Sequence, residues 1–107
     1  MKKLFAAPLV LASLFASTAS AEDLVFLLAN ESSVDLVEFN VSPSASDNWE
    51  SNLLGGDYIA PGYEADVLIA DGLDTCVYDI RGGFSDGSSA EEFGLDLCDL
   101  GEYVFTD

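Results

Sequence analysis

The sequence predicts an all-β protein, a small antiparallel β-sandwich of the immunoglobulin-like kind with six or seven strands and one disulfide. Short apolar stretches recur along most of the 107 residues, several of them with every second residue apolar. Clusters of Gly, Pro, Asp, Asn and Ser interrupt these stretches about every 8 to 12 residues, as in sandwiches built from short strands. Cys76 and Cys98 are the only cysteines and can form one bond.

The first 21 residues have the pattern of a cleaved secretory signal. Lys2 and Lys3 precede the apolar run Leu4–Phe15, and the segment ends in Ala19-Ser20-Ala21. The apolar run is shorter than the roughly 20 residues that span a bilayer. We therefore expect a signal peptide at 1–21 and a single acidic domain at 22–107. The signal is of bacterial type, which predicts a periplasmic or secreted protein with no membrane insertion after cleavage.

Two apolar segments at the start of the domain predict the first two strands. Leu24–Ala29 is almost continuously apolar, and its short length favours a strand over a helix. Val34–Val41 alternates in two phases, with the change between Leu36 and Val37. A change of phase inside a strand predicts a β-bulge there.

The segment from 42 to 62 is rich in Ser, Asp, Asn and Gly. Asp47 and Glu50 have the spacing of a capping box, and Trp49 and Leu53 stand four residues apart. This spacing predicts a short helical turn that lays Trp49 and Leu53 on the sandwich. Pro61-Gly62 predicts a type II turn, because Pro presets φ and Gly supplies a positive φ.

Asp71-Gly72 is a strong signal for a two-residue hairpin loop. Such a loop pairs Ile69 with Asp74 and Val67 with Cys76. The resulting core face would carry Val67, Ile69, Cys76, Tyr78 and Ile80.

Asp86-Gly87 lies midway between the two cysteines and predicts a second hairpin that brings Cys76 and Cys98 together. Phe93, Leu95 and Leu97 share one face in a regular strand, whereas Cys98 does not. A bulge or a strand end is therefore expected near Cys98. Gly101-Glu102 then turns the chain into the last strand, Tyr103–Thr106.

Taken together, these elements resemble a group of small exported bacterial β-sandwich domains. The resemblance covers nearly all of 22–107 and is carried by Asn30/Ser32, Ser42-Pro43, Trp49, Leu53-Leu54-Gly55, Pro61-Gly62, Cys76-Val77-Tyr78-Asp79-Ile80, Phe84-Ser85-Asp86-Gly87, Cys98 and Tyr103-Val104-Phe105. It implies a sandwich and an extracytoplasmic location, and it brings no catalytic residues with it.

The charge of the domain excludes nucleic acid as a partner. All 20 acidic residues lie at or after Glu22, whereas Arg81 is the only basic residue outside the first 21 positions, which leaves 1 minus 20, or −19. Nucleic-acid binding begins with basic side chains, and phosphate is repelled by such a surface. The charge is also typical of a surface suited to salty water. A loop closed by Cys76 and Cys98 would contribute about 3 kcal/mol to stability.

The side-chain inventory argues against an enzyme. Histidine is absent, which removes the commonest general base, the usual zinc ligand and the Ser-His-Asp triad. Paired carboxylates remain, so a small carboxylate-dependent hydrolase is the third hypothesis. Two cysteines in an exported chain predict a disulfide rather than a nucleophile. We expect no catalytic residue and no cofactor, calcium being the one alternative.

Calcium would need several oxygen ligands gathered in one place. The candidates are Asp71, Asp74, Asp79, Asp86, Glu91 and Glu92, and none of them lies in an EF-hand pattern. Asp86 before Gly87 also fits a plain turn residue.

Three further features have both a functional and a plain interpretation. Trp49 is the weak candidate for ligand binding, as a platform for a glycan or a protein partner, although it could equally cover the core. Asn30 and Asn40 begin formal glycosylation sequons but also suit turns and strand ends. Arg81 is expected to pair with Asp79 or Asp86.

The leading functional prediction is therefore an exported, non-enzymatic binding or structural module for a protein or glycan. The alternative is a calcium-dependent adhesion or matrix component.

Overall fold

A computed structural model describes residues 23–46 and 48–107. The signal peptide expected at 1–21, the cut before Glu22, and Asp47 lie outside the described residues. The described chain forms six strands and one short helix: β1 Leu24–Glu31, β2 Leu36–Pro43, β3 Tyr63–Ile69, β4 Val77–Phe84, β5 Ser89–Asp96, α1 Leu97–Leu100 and β6 Glu102–Thr106. The predicted all-β class and strand number are confirmed. No helix in these ranges is long and apolar enough to cross a membrane.

The strands form two three-stranded sheets, in the orders β3-β1-β6 and β2-β4-β5. Every pairing is antiparallel except β1 with β6, which is parallel. The expectation of a purely antiparallel fold is therefore wrong at this one pair. Parallel neighbours need a long crossover connection, and the chain from β2 to α1 supplies one before β6 returns beside β1.

Both sheets contribute to one buried core. Three aromatic contacts join strands of different sheets, with ring centroids 5.8 Å apart for Phe26 and Phe39, 6.2 Å for Phe39 and Phe105, and 5.6 Å for Phe84 and Phe105. Tilted and edge-on rings at such distances attract through their quadrupoles as well as through buried area. The buried cluster is completed by Leu28, Leu36, Val41, Ile59, Val67, Ile69, Tyr78, Ile80 and Leu97.

The hairpin predicted at Asp71-Gly72 is wrong. β3 pairs with β1, in a register that runs without interruption from Leu24 opposite Ile69 to Asn30 opposite Tyr63. The chain after β3 instead crosses to the other sheet, and the Asp71 carboxylate accepts a hydrogen bond from the Leu73 amide at 3.0 Å. The residues Asp71-Gly72 therefore predicted the local turn but not the strand with which β3 pairs.

The core face derived from that hairpin is nevertheless mostly correct. Val67, Ile69, Tyr78 and Ile80 are all buried, although on two different sheets. Cys76 is the exception, because it lies half-buried in the crossing segment before β4. Alternation within each strand decides which side chains are buried, whichever strand lies beside it.

The second predicted hairpin is confirmed. β4 and β5 pair antiparallel up to Gly83 opposite Ser89, and Cys76 and Cys98 form the disulfide with Cα atoms 5.4 Å apart. β5 ends at Asp96 and α1 follows, which is the strand end expected near Cys98.

The expectation that Phe93 shares a face with Leu95 and Leu97 is wrong. Tyr78 of β4 lies opposite Leu95, whereas Ile80 lies opposite Glu92, so β5 has one extra residue in this interval. Gly94 lies in the interval and has a φ of 69°. The bulge leaves Phe93 63% exposed while Leu97 is buried. One extra residue in a strand changes the face of every residue beyond it.

The other bulge and the proline turn are confirmed, whereas the helical turn is wrong. The β2 register shifts between Leu36 and Glu38. Tyr63 N donates to Ala60 O at 3.0 Å around Pro61-Gly62, and Gly62 has a φ of 85°.

No helix forms in the described residues between β2 and β3, which are 44–46 and 48–62. The segment that carries Trp49 and Leu53 instead runs along the edge of β2, where Glu50 N donates to Val41 O and Leu53 N donates to Phe39 O, both at 2.8 Å. Because these backbone amides already donate to the edge of β2, their hydrogen bonds are satisfied without a helix.

Candidate functional site

Three of the six candidate calcium ligands, Asp71, Asp79 and Asp86, accept hydrogen bonds from other groups of the protein. Asp79 Oδ1 accepts hydrogen bonds from Ser44 Oγ at 2.8 Å and from Gly94 N at 2.9 Å, so it fixes the bulge of β5. Asp86 Oδ1 accepts from Ser88 Oγ at 2.6 Å and from Ser88 N at 2.9 Å. These bonds to Ser88 hold the pKa of Asp86 below its ordinary value.

The six candidates do not assemble into one site in the described chain. The only three potential ligand atoms that meet within 4.8 Å in these ranges belong to Cys76, Asp96 and Cys98. The two sulfurs are bonded to each other in the disulfide and are not thiolates, so this group is not a metal centre. Asp74, Glu91 and Glu92 are exposed. Calcium binding remains a prediction.

Trp49 and Arg81 contact each other. The guanidinium carbon of Arg81 lies 4.7 Å from the centroid of the Trp49 ring, which is a cation–π arrangement. The guanidinium therefore lies over an aromatic face, where an ion pair with Asp79 or Asp86 was expected. Because the cation covers one face of the ring, that face is closed to a stacking ligand. Trp49 is half-buried and is not a member of the core cluster.

Asn30 has a structural role that the sequence did not reveal. Its side chain is fully buried, and its Nδ2 donates to Val34 O at 2.8 Å and to Ile59 O at 2.7 Å. Its Oδ1 accepts from Ser32 N at 3.0 Å and from Ser32 Oγ at 2.6 Å. All four hydrogen-bonding positions of this amide are therefore used. The sequon pattern marked the residue, but only burial reveals its role.

Asn40 is also buried, beneath the segment that carries Trp49. It is 4% exposed, and its Nδ2 donates to Glu50 O at 2.9 Å. Its Oδ1 has no hydrogen-bond partner among the described residues. Both sequon asparagines thus have side chains enclosed by protein.

A cluster of three polar side chains, Glu50, Asp71 and Tyr78, connects three separate segments of the chain. The Tyr78 hydroxyl donates to Asp71 Oδ2 at 2.8 Å, and the Glu50 carboxyl is hydrogen-bonded to that of Asp71. Glu50 lies on the segment along β2, Asp71 on the crossing after β3, and Tyr78 on β4. We call Glu50 and Asp71 together the carboxyl pair. Asp71 was a candidate from the sequence, and Glu50 was proposed only as part of a helix cap.

The two carboxyls differ strongly in pKa. Burial, together with the hydrogen bond and the negative charge of Asp71, raises the pKa of Glu50 to about 7. Burial also pushes the pKa of Asp71 upward, but hydrogen bonds from Leu73 N, Tyr78 and Glu50 outweigh it and leave this pKa below its ordinary value. Burial and the adjacent carboxylates raise the pKa of Tyr78. Between the two pKa values the pair therefore holds one proton, which resides on Glu50.

Both carboxylate oxygens of Asp71 accept hydrogen bonds from the protein. Its Oδ1 accepts from Leu73 N and its Oδ2 from the Tyr78 hydroxyl. A glycosidase instead separates its two carboxyls by about 5 Å or more, so that a sugar or a water fits between them. The direct hydrogen bond between Glu50 and Asp71 is suited to holding two segments together.

A cleft of about 470 Å³ lies along β3, which is an edge strand of its sheet. One side is the segment 53–59, and the other is the middle of β3. We call it the β3 cleft; it is lined by Leu53, Leu54, Asp57, Tyr58, Ile59, Ala65, Asp66, Val67 and Leu68. The segment 53–59 is fixed to the β2-β4-β5 sheet, because Leu36 and Ile59 form an antiparallel bridge with N–O distances of 2.9 Å.

The two sides of the β3 cleft are consecutive in the chain. At one end the turn at Pro61-Gly62 joins segment 53–59 directly to β3.

The rim of the cleft exposes apolar side chains beside carboxylates. Tyr58 is 62% exposed and Leu68 50%, whereas Ile59 and Val67 are buried at the base. Val25, the β1 partner of Leu68, is 57% exposed and extends the apolar rim onto the outer face of the sheet. Asp57 and Asp66 are exposed beside these groups. Exposed apolar patches with a polar rim are typical of interaction sites.

No protein-family model, no curated protein and no solved structure matches this chain. The resemblance to small exported bacterial domains therefore remains a prediction.

Proposed function

We propose that this protein is an exported, non-enzymatic binding module with an immunoglobulin-like β-sandwich, and that the β3 cleft is its binding site. The observation that carries the proposal is the cleft itself, an apolar base with exposed Tyr58 and Leu68 at its rim. Ligand sites are concave and combine apolar side chains with a few polar groups, and this cleft is lined by seven apolar or aromatic residues together with Asp57 and Asp66.

The shared core supports the sandwich. Phe39 of one sheet contacts both Phe26 and Phe105 of the other, and each sheet carries exposed residues on its opposite side. Two sheets that bury their facing sides against each other are the elements of a sandwich. The six strands fit the smaller immunoglobulin-like domains.

The disulfide and the N-terminal sequence support export. The Cys76–Cys98 bond is of the kind that persists in oxidising compartments such as the periplasm and the extracellular space. Lys2, Lys3 and the apolar run that follows them have the composition of a secretory signal. Intact-mass measurement of the exported protein should give a chain that starts at Glu22 and lacks two hydrogens. A retained leader or two free thiols would contradict the export part of the proposal.

Site-specific photocrosslinking tests the binding part. We would place a benzoylphenylalanine at Tyr58, on the rim of the cleft, and a second one at Phe93 as the matched control. Both positions carry an aromatic residue that is about equally exposed, at 62% and 63%. Cells that produce the full chain should yield a discrete crosslinked species from position 58 and none from position 93.

The outcome depends on the difference between the two positions. The same species from both would indicate collision with an abundant neighbour and would remove the cleft as the site. No species from position 58, in a protein with the expected mass and disulfide, would contradict the binding function itself.

A further inference from the structure

We infer that the β3 cleft accepts an extended basic segment of a partner polypeptide, which adds to the edge of β3 as a further strand. This inference rests on the proposed binding function and specifies the chemistry of the partner. Its grounds are the state of the four sheet edges, the alternation of side chains along β3 and the charge around the cleft.

The described chain has four sheet edges, formed by β2, β3, β5 and β6. Among these, β3 is the edge that is long, regular and uncovered. The edge of β2 is occupied, because Glu50, Leu53 and Ile59 donate their amides to it. β5 is an edge strand with a bulge at Gly94, and β6 has only five residues. Bulges and short lengths are the usual protection of an edge against pairing. β3 has seven residues in unbroken register with β1 and has neither protection.

The two faces of β3 specify the pattern of an added strand. Ala65 and Val67 face the core side, where Val67 forms part of the base of the cleft, whereas Glu64, Asp66 and Leu68 face outward. Side chains of neighbouring strands lie beside each other on the same face. An added strand would therefore place apolar side chains next to Ala65 and Val67 and basic side chains next to Glu64 and Asp66. Strand addition of this kind takes its affinity from the backbone and its specificity from alternate side chains.

The charge of the chain favours a basic partner over a second copy. Asp57 and Asp66 line the cleft, and the whole sequence carries a formal net charge of −17. Like charges placed opposite each other on neighbouring strands are destabilising, so two β3 edges would repel through Glu64 and Asp66. Lysine or arginine in a partner would be attracted to the same carboxylates.

The test uses a defined peptide and the disulfide-bonded domain. The probe is an acetylated and amidated hexapeptide of alternating lysine and valine, titrated into isotopically labelled protein with NMR detection. We expect saturable shifts of the backbone amides of 63–69 and of residues lining the cleft. A peptide of the same sequence with alternate amides N-methylated should bind at least about tenfold more weakly, because it lacks half of its backbone donors.

Charge reversal on two exposed edge positions provides the matched comparison. Asp66→Lys changes the β3 edge, and Glu91→Lys makes the same change of net charge on the β5 edge. We expect Asp66→Lys to weaken binding of the lysine peptide by about tenfold or more, and Glu91→Lys by much less. A glutamate–valine peptide should not bind the native protein but should gain affinity for Asp66→Lys.

The possible results separate this inference from the proposed function. Equal weakening by both variants, or equal binding of the N-methylated peptide, would show only unspecific attraction and would overturn strand addition. Absence of peptide binding, together with a crosslink from position 58, would overturn the basic-strand partner and leave the binding site in place. Loss of both signals would remove the two proposals together.

Discussion

The side-chain nitrogen of Asn30 donates a hydrogen bond of 2.7 Å to the backbone carbonyl of Ile59, 29 positions later in the chain. Asn30 ends the buried part of β1, in one sheet, whereas Ile59 bridges to Leu36 on β2, in the other. A single buried amide thus connects the two sheets close to the β3 cleft. The carbonyls that it satisfies would otherwise be left without a donor, which is costly away from water.

Replacing Asn30 with aspartate should destabilise the domain strongly. The carboxylate turns two donated hydrogen bonds into repulsion between oxygens, at Val34 O and Ile59 O. We expect the free energy of unfolding to fall by at least about 2 kcal/mol, because a buried charge and unpaired carbonyls add together. Urea denaturation measures the loss. Asn48→Asp makes the same chemical change at an exposed position and should have little effect; equal losses would contradict a structural role for Asn30.

Gly82→Ala should destabilise the core, whereas Gly83→Ala should be tolerated. A Cβ at position 82 would lie 2.7 Å from Phe105 Cζ and 3.0 Å from Leu36 Cδ1, so that packed groups have to move. Overpacking of this kind costs about 1–3 kcal/mol. At position 83 the nearest atom is Cβ of the exposed Glu38, at 3.3 Å. Denaturant midpoints of the two variants give the comparison, and a smaller loss for Gly82→Ala would contradict the packing described here.

The carboxyl pair predicts a pH dependence of stability. The pKa of Glu50 is about 7 in the folded protein and lies above its ordinary value of 4.5. Between these values the folded state binds more protons than the unfolded state, so the contribution of Glu50 is complete below about pH 4.5 and is lost as the pH rises through about 7. The pKa of Asp71 is lowered, so its contribution to stability is complete above its ordinary pKa of 3.8 and is lost as the pH falls below that value. Denaturant midpoints measured across this pH range should reveal both losses of stability, one as the pH rises through about 7 and one at acidic pH.

The variant Glu50→Gln tests the loss of stability that is expected as the pH rises through the pKa of Glu50. The amide keeps a donor toward Asp71 at every pH and has no charge to lose, so the variant should be more stable than the native protein at pH 8 and similar to it at pH 5. Glu38→Gln removes one charge from an exposed position and is the control for net charge. If the two variants have the same pH profile, the hydrogen bond of the carboxyl pair does not control stability.

Salt should stabilise the folded domain. Twenty carboxylates oppose one arginine in residues 22–107, and at 0.01 M ionic strength the screening length is about 30 Å, so these charges repel across the whole surface. At 1 M it is about 3 Å, and only adjacent charges interact. The unfolded chain spreads its charges farther apart, so screening relieves more repulsion in the folded state. The denaturant midpoint should rise from 0.01 to 1 M sodium chloride; a flat or falling midpoint would mean that the carboxylates are already compensated.

Calcium at matched ionic strength should add nothing to this effect if the acidic residues serve only as surface. A saturable rise in melting temperature at about 10⁻⁴ to 10⁻³ M calcium would instead support the calcium-dependent alternative. Asp86→Asn is the first variant to compare, and Asp35→Asn makes the same change at another acidic position of the described chain. In the structure Asp86 is already engaged by Ser88, so we expect its role to be that of a turn residue.

Local patterns in the sequence were sufficient for much of the fold. The bulge between Leu36 and Glu38, the turn at Pro61-Gly62 and the hairpin at Asp86-Gly87 each follow from residues within a few positions of one another. Alternation also identified most of the buried face of β3 and β4. The disulfide followed from composition, since two cysteines allow one pairing.

The candidate site could be predicted only in part, because its residues meet through tertiary contacts. Asp71 was one acidic residue among twenty, and nothing in the sequence related it to Glu50 or to the Tyr78 hydroxyl. Trp49 and Leu53 had helical spacing, but the segment pairs with the edge of β2 instead. A spacing rule describes one element, whereas pKa shifts and clefts arise between elements.

The sequence by itself determined which residues turn, which alternate and which are charged, because these properties depend on single side chains and local dihedral angles. The tertiary structure alone decided that β3 pairs with β1, that β6 runs parallel to β1, and that Glu50 meets Asp71. The choice of strand partner depends on which arrangement buries the most apolar surface across the whole chain. That quantity is a property of the assembled core, and a turn such as Asp71-Gly72 carries no information about it.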